Sequence, residues 1–224
     1  MSIKLKGSTD GSVTLQAPAD TSPTGTDKTL ILPTGVGSAN QILRNSSTAG
    51  TLEFASPSYV KRTYSSQLSV TSGDTELEFT GIPANCSKLT LVYYQISLTG
   101  TNDVLVQIGD SSSYKTSGYV SHGCFIGTSS VSGGSSTAGY DIRNTSDGTT
   151  LAGYMTLVPS KLSTPTHWNA FHSGVNQASN NTRLGAGLSP ELTADITRIK
   201  MVPSGTNTFD DADGRIILIT EVIE

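Results

Sequence analysis

At 224 residues the chain is long enough for one or two domains with a sizeable buried core. Charged residues make up only 14% of it, while Ser, Thr and Gly abound and helix formers are scarce, which favours strands and turns. The net charge of −4 leaves no basic footprint and argues against a nucleic-acid partner.

In chain order, Met1–Lys6 lacks the apolar stretch of a secretory signal, and no window reaches transmembrane length, so no membrane insertion is expected. Short β-forming runs then alternate with turn residues: Leu30-Ile31-Leu32-Pro33, Gly35-Val36-Gly37, Asn40 to Arg44, and Gly50 to Phe54. None of these runs can bury a face alone. Residues 1–55 are therefore expected to form an extended, short-stranded arm that packs against copies of itself or onto a larger surface. Val13, Leu15, Leu30, Ile31, Leu32, Ile42, Leu43, Leu52 and Phe54 are the candidate oligomerisation or anchoring residues. Full burial of each is worth roughly 1.5–3 kcal/mol, before association costs. Three intertwined arms bury what one cannot, which makes a homotrimer the expected state.

Three stretches of the arm carry a resemblance. Gly11 to Ala19 reads Gly-Ser-Val-Thr-Leu-x-Ala-Pro-Ala, Thr29 to Pro33 reads Thr-Leu-x-Leu-Pro, and Gly37 to Leu43 reads Gly-x-Ala-x-Gln-x-Leu. In this order they resemble the amino-terminal part of bacteriophage short-fibre and virion-decoration proteins, of tail-fibre or head-fibre type. The resemblance implies a virion location after synthesis in the host cytoplasm, with capsid or tail proteins as partners.

A division is expected near Ala55-Ser56-Pro57-Ser58, leaving a knob domain over 56–224. Tyr59–Tyr64 reads as a connecting strand or one helical turn. Lys88–Leu98 has Leu89, Leu91 and Tyr93 on one face and Val92, Tyr94, Ile96 and Leu98 on the other, predicting a central strand covered on each side. Thr99–Asn102 is expected to be a hairpin turn into Asp103–Gly109, where Val104, Val106 and Ile108 face inward and Leu105 and Gln107 face oppositely. Gly127–Gly139, mostly Ser, Gly and Thr, reads as an exposed loop. Leu151–Pro159, Thr193–Pro203 and Arg215–Glu224 supply further strands, the last after an Asp213-Gly214 turn. The expected fold class is all-β, an extended arm followed by an antiparallel, jelly-roll-like β-sandwich.

The knob has a second, looser likeness to phage fibre domains. It runs through Ser97–Thr101, Val106–Asp110, Thr116–Tyr119, Asn207–Asp210 and Arg215–Val222. No carbohydrate-binding or capsid-binding residue is transferred by it.

Candidate chemistry is thin. His122-Gly123-Cys124 suggests a base and a nucleophile, but neighbours in a strand are expected to point to opposite faces, and no Gly-x-Ser-x-Gly elbow is present. His167 and His172, five apart, are expected on different sides of an element and lack further zinc ligands. They flank Trp168 and Phe171, which either fill the core or offer an aromatic platform to a sugar or peptide. Asp210–Gly214 departs from an EF-hand loop and reads as an Asp turn. Tyr114, Lys115, Tyr119, Arg143 and Asp147 suggest a polar and aromatic recognition surface. The candidate ligand surface is therefore Tyr114, Tyr119, Trp168 and Phe171. Cys86 and Cys124 are expected to be small buried apolar residues, with a bridge between them as the alternative. No catalytic residue, metal or cofactor is expected, and the chain is not read as an enzyme.

The functional expectation is a trimeric short fibre or decoration protein, anchored by its arm, with a host-surface glycan as a further candidate partner of the knob. A lectin-like module outside any virion is the alternative, followed by a polysaccharide esterase or depolymerase.

Overall fold

The computed structural model describes residues 2–6 and 12–16 as backbone, and residues 30–35, 37–48, 51–144, 149–164, 166–178 and 181–223. The chain divides into two compact units, Met1–Ser58 and Tyr59–Glu224. Strands in both units pair antiparallel, and no helix occurs among the described residues.

The first unit holds two separate hairpins. β1 (Ser2–Lys6) pairs with β2 (Ser12–Gln16), and β3 (Ile42–Asn45) pairs with β4 (Leu52–Ala55). Ile31 forms a parallel bridge to Thr51, with the Leu52 amide donating to its carbonyl at 2.8 Å. Asn40 takes the left-handed φ of 66° that the turn before β3 requires, and the Ser38 amide donates to the Gln41 side chain at 2.7 Å. Gly37 lies against the Phe54 ring, where a Cβ would come within 2.6 Å of it. Two-stranded hairpins of this length are marginal in water. Leu30, Ile31, Leu32, Ile42 and Leu43 are each about half exposed or more. Leu52 is partly covered and Phe54 exposed at 36%. The side chains of Val13 and Leu15 lie outside the described residues.

The second unit is a β-sandwich. Its strands are β5 (Val60–Tyr64), β6 (Leu68–Ser69), β7 (Leu77–Thr80), β8 (Cys86–Ile96), β9 (Val104–Gly109), β10 (Val120–Ile126), β11 (Val131–Ser136), β12 (Tyr140–Ile142), β13 (Leu151–Pro159), β14 (Trp168–Asn176), β15 (Asn181–Leu188), β16 (Arg198–Pro203) and β17 (Arg215–Ile223). A large sheet runs β11-β10-β15-β14-β13-β8-β17-β5, with β6 also on β17; a small sheet runs β12-β9-β16-β7. Leu89, Leu91, Met155, Leu157, Ile216 and Leu218 from the large sheet meet Val104, Val106, Ile108, Ile142, Ile199 and Met201 from the small one, all buried. Alternation along each strand sends every second side chain into this layer.

Several expectations are corrected here. β8 is central but is covered on one side only: Tyr94 is exposed and Val92 half-buried on the outer face. Its register against β13 shifts between Leu151 and Gly153, and Gln95 sits at φ 51°. That bulge turns Ile96 onto the inner face with Leu89, Leu91 and Tyr93, where simple alternation would have put it outside. Thr99–Asn102 is not a hairpin turn, because β8 and β9 belong to different sheets; it is a crossover between layers. Leu105 and Gln107 are buried as well as Val104, Val106 and Ile108, since the Ala138–Gly139 segment lies against them and the Gln107 amide donates to the Ala138 carbonyl at 2.8 Å. Gly127–Gly139 contains β11, the edge strand of the large sheet, rather than a continuous loop. Its glycines belong to the packing: a Cβ on Gly134 would come within 2.7 Å of the Arg143 guanidinium.

Candidate functional site

The outer face of the large sheet is built from residues that alternate with the core positions. Cross-strand rows on this face read Thr156–Phe171–Ala186–His122–Ser135 and Tyr154–Ser173–Leu184–Cys124–Gly133 across β13, β14, β15, β10 and β11. Flanking rows add Ala152, Val175, Thr182, Ile126 and Val131 on one side, and Val158, Asn169, Leu188 and Val120 on the other. No Asp, Glu, Lys or Arg stands on these five strands' outer face. Charge begins only at the other end, where Glu221 of β17 meets Arg62 of β5 at 2.7 Å and Lys88 of β8 at 3.3 Å, and Arg215 lies 5.2 Å above the Tyr94 ring.

Within the uncharged half, small residues create a depression of about 580 Å³. Gly133, Ser135 and Ala186 form its low points, with Phe171, Leu184, His122 and Cys124 around them. His122 and Cys124 are two residues apart on β10 and therefore share a face, correcting the expectation that they diverge. Their surroundings remain apolar, and no carboxylate lines the depression to orient the imidazole. What this surface offers is apolar area to be removed from water. Cys86, by contrast, is buried, and its thiol donates to the Lys88 carbonyl at 3.2 Å while burial raises its pKa. Both cysteines are free, so Cys86 matches the expected buried thiol and Cys124, half-buried on the outer face, does not.

The four candidate ligand residues do not form one surface. Phe171 is 52% exposed and belongs to the face just described. Trp168, three residues earlier on the same strand, points inward and is 2% exposed. Tyr119 is 1% exposed; its hydroxyl accepts from the Ile108 amide at 2.9 Å and its ring meets Tyr140 edge-on at 5.0 Å. Trp168 and Tyr119 are therefore core residues and leave the candidate ligand surface; for Trp168 this is the core alternative, and for Tyr119 it is a correction. Tyr114 is half-buried, donates to Glu78 at 2.7 Å and lies under Arg198 and Lys200. Lys115 pairs with Asp110 at 3.4 Å and Arg143 with Asp103 at 2.6 Å, which ties both into the scaffold. Asp147 lies outside the described residues. The Asp213 amide donates to the Asp211 carboxylate and the Gly214 amide to the Asp211 carbonyl, each at 2.9 Å, as an Asp turn requires.

One feature was missed from sequence. Beneath the outer face, glycines Gly153, Gly174, Gly185 and Gly123 make room on the inner face for Tyr93, Arg183 and His172. A Cβ on Gly185 would stand 2.2 Å from the His172 ring, and one on Gly123 3.0 Å from the Asp141 carboxylate. Arg183 is fully buried and stacks 5.0 Å from the Phe125 ring. Burial, with Asp103 nearby, pushes the Asp141 carboxyl up to about 6. Burial also pulls His172 down to about 4, opposed in part by the Asp141 carbonyl. Neither His172 nitrogen has an aligned hydrogen-bond partner. Alternating Gly with single large residues on neighbouring strands was the available signal, but it is visible only once the register is known.

A smaller cleft of about 170 Å³ opens at one end of the sandwich, where Asn85, Lys161, Thr164, Asp195 and Ile196 surround Trp168. Its indole Nε1–H is buried without a partner. No group of three or more potential metal ligands occurs among the described residues. No protein-family model, curated protein or solved structure matches the chain.

Proposed function

We propose that the chain is a self-assembling structural protein of a bacteriophage virion surface, a short fibre or decoration protein. Residues 1–58 attach and oligomerise, as a trimer, and the β-sandwich is the knob. The observation that carries this reading is the solvent exposure, in a single copy, of Ile42 and Leu43 on a four-residue hairpin strand and of Leu30 and Leu32 on either side of the Ile31 bridge. Together with the three arm motifs, that pattern supports a segment completed by other polypeptides. The low charge and the apolar outer face of the knob support assembly rather than catalysis.

The test is the location and mass of the full chain. Light scattering is expected to give a trimer, and imaging of labelled protein to place it on phage particles, with head or tail position read directly. A monomer that never associates with particles would overturn the proposal.

A glycan-binding knob is the second reading. It is supported by the cleft beside Trp168, where Asn85, Lys161, Thr164 and Asp195 set polar groups around an aromatic and aliphatic floor. Binding of the protein to a glycan array, abolished by Leu162→Asp at the cleft wall, would favour it.

A further inference from the structure

We propose that the uncharged half of the large sheet's outer face is a contact surface for a second copy of this chain, separate from any contact made by the arm. Tyr154 and Val158 of β13, Phe171 and Val175 of β14, and Val120 and Ile126 of β10 are all more than 40% exposed there, within a run of five neighbouring strands. Five strands at about 4.8 Å spacing and some eight residues at about 3.4 Å give a patch of roughly 650 Å² in plan. Side-chain relief brings it close to the roughly 800 Å² per partner of a stable interface. Six of the nineteen positions named on this face are Thr, Ser, Asn or His, so its apolar part is roughly 450 Å², within the range of the largest patch on an isolated protein, which is often an interaction site.

Charge identifies the occupant. The chain carries a net charge of −4, so two copies meeting at random bring like charges together. This face carries none, and it is where they meet without repulsion. It offers no cation to a polyanion, and its Ser, Thr, Asn169 and His122 side chains are scattered among apolar ones across the five strands. The sheet's edges agree: β5 is guarded by Lys61 and Arg62, whereas β11, beside the apolar patch, has only Val, Ser and Gly. Charge on an exposed edge is the usual guard against pairing with another chain. β11 lacks it, as expected of a strand that lies next to a subunit contact.

Cys124 is a native reporter because it lies on this face, while Cys86 is buried in the core. Full-length protein is labelled with a maleimide and the modified cysteine located by peptide mapping. In the assembled protein, Cys124 is expected to label at least tenfold more slowly than in Phe171→Glu, with matching circular dichroism for the two. Dilution of the wild type below its association range is expected to speed Cys124 labelling without unmasking Cys86, a readout that holds even if the variant misfolds. Equal Cys124 rates in the assembled wild type and in folded Phe171→Glu, or across the dilution series, would overturn the proposal. So would a wild-type monomer at every concentration.

Discussion

Asn102 and Asn207 hold each other's backbones: the amide of Asn102 donates to Oδ1 of Asn207 at 3.2 Å, and the amide of Asn207 donates to Oδ1 of Asn102 at 3.1 Å. The pair locks the crossover between the two sheets to the loop ahead of β17. Gly100 and Gly205 sit directly against the two side chains, where a Cβ would come within 2.6 and 2.7 Å of the amides. Asn144 adds donors to the Gly100 and Asn102 carbonyls. Asn207→Ala leaves the Asn102 amide without its acceptor and is expected to cost about 1–2 kcal/mol in urea unfolding. Asn207→Asp keeps the acceptor and is expected to cost less. Equal losses for the two would show that the acceptor oxygen is not what matters.

The buried Asp141 and His172 make opposing contributions to pH dependence. Asp141 has a folded pKa of about 6, above its unfolded value of about 3.8, so its ionisation destabilises the fold progressively from pH 4 to 6. His172 has a folded pKa of about 4, below its unfolded 6.5, so stability is lost as pH falls from 6.5 to 4. In the wild type the two slopes offset one another. Asp141→Asn is expected to leave the His172 slope and lose stability on acidification; His172→Asn is expected to leave the Asp141 slope and gain it. At pH 8, Asp141→Asn removes a buried charge and is expected to stabilise by up to about 3 kcal/mol. Denaturant midpoints across pH 4–8 check both signs.

Much of this fold could be read from residue patterns, and the limits have physical causes. Strand β16 follows from its alternation and β17 from its apolar run after the Asp213-Gly214 turn, while β8 is central as read, though only one of its two apolar faces is covered. The bulge at Gln95 could not be read, because one inserted residue reverses the faces beyond it without altering composition. β11 was hidden for a similar reason: Ser and Gly are weak strand formers, and this strand exists because β10 templates it. Trp168 and Phe171 illustrate the site. Their aromatic character suggested a shared platform, yet three residues along a strand places them on opposite sides of the sheet. The polar layer under Gly185 depends on which glycine falls beside which histidine, and only register decides that.

Asp110 is the acid whose environment favours its charge. The Ser112 hydroxyl and the Ser112 and Ser113 amides all donate to it, with Lys115 nearby, and the Ser112 hydroxyl does most to hold it at about 2. Its stabilising contribution is complete above pH 4 and is lost as pH falls through 2. Ser112→Ala is expected to move the Asp110 titration upward toward the ordinary carboxylate range, measured by carboxyl carbon NMR. An unmoved titration would assign the effect to the two amides and Lys115.

Gly185 tests whether the inner layer is a fitted structure. An alanine there would place its Cβ 2.2 Å from the His172 ring and 2.6 Å from the His122 carbonyl. The first obstacle is a side chain that can turn; the second is backbone in a paired strand. Gly185→Ala is therefore expected to cost more than about 2 kcal/mol. Adding His172→Ala should recover only part of that loss, since the carbonyl stays in place. Complete recovery in the double variant would mean that β10 can shift and that the strand spacing is looser than its register implies.

The arm and the knob are separable by their energetics. Each large apolar side chain of the arm that becomes fully buried on association contributes roughly 1.5–3 kcal/mol. An aspartate at such a position reverses that gain and adds the cost of a buried charge. Leu32→Asp combined with Ile42→Asp is thus expected to weaken association by at least a hundredfold in sedimentation equilibrium. The unfolding midpoint of the knob, whose core lies wholly within Tyr59–Glu224, should stay where it is. If association is unchanged by both substitutions, the arm's exposed side chains are not what holds the copies together, and the outer face of the large sheet must carry the assembly alone.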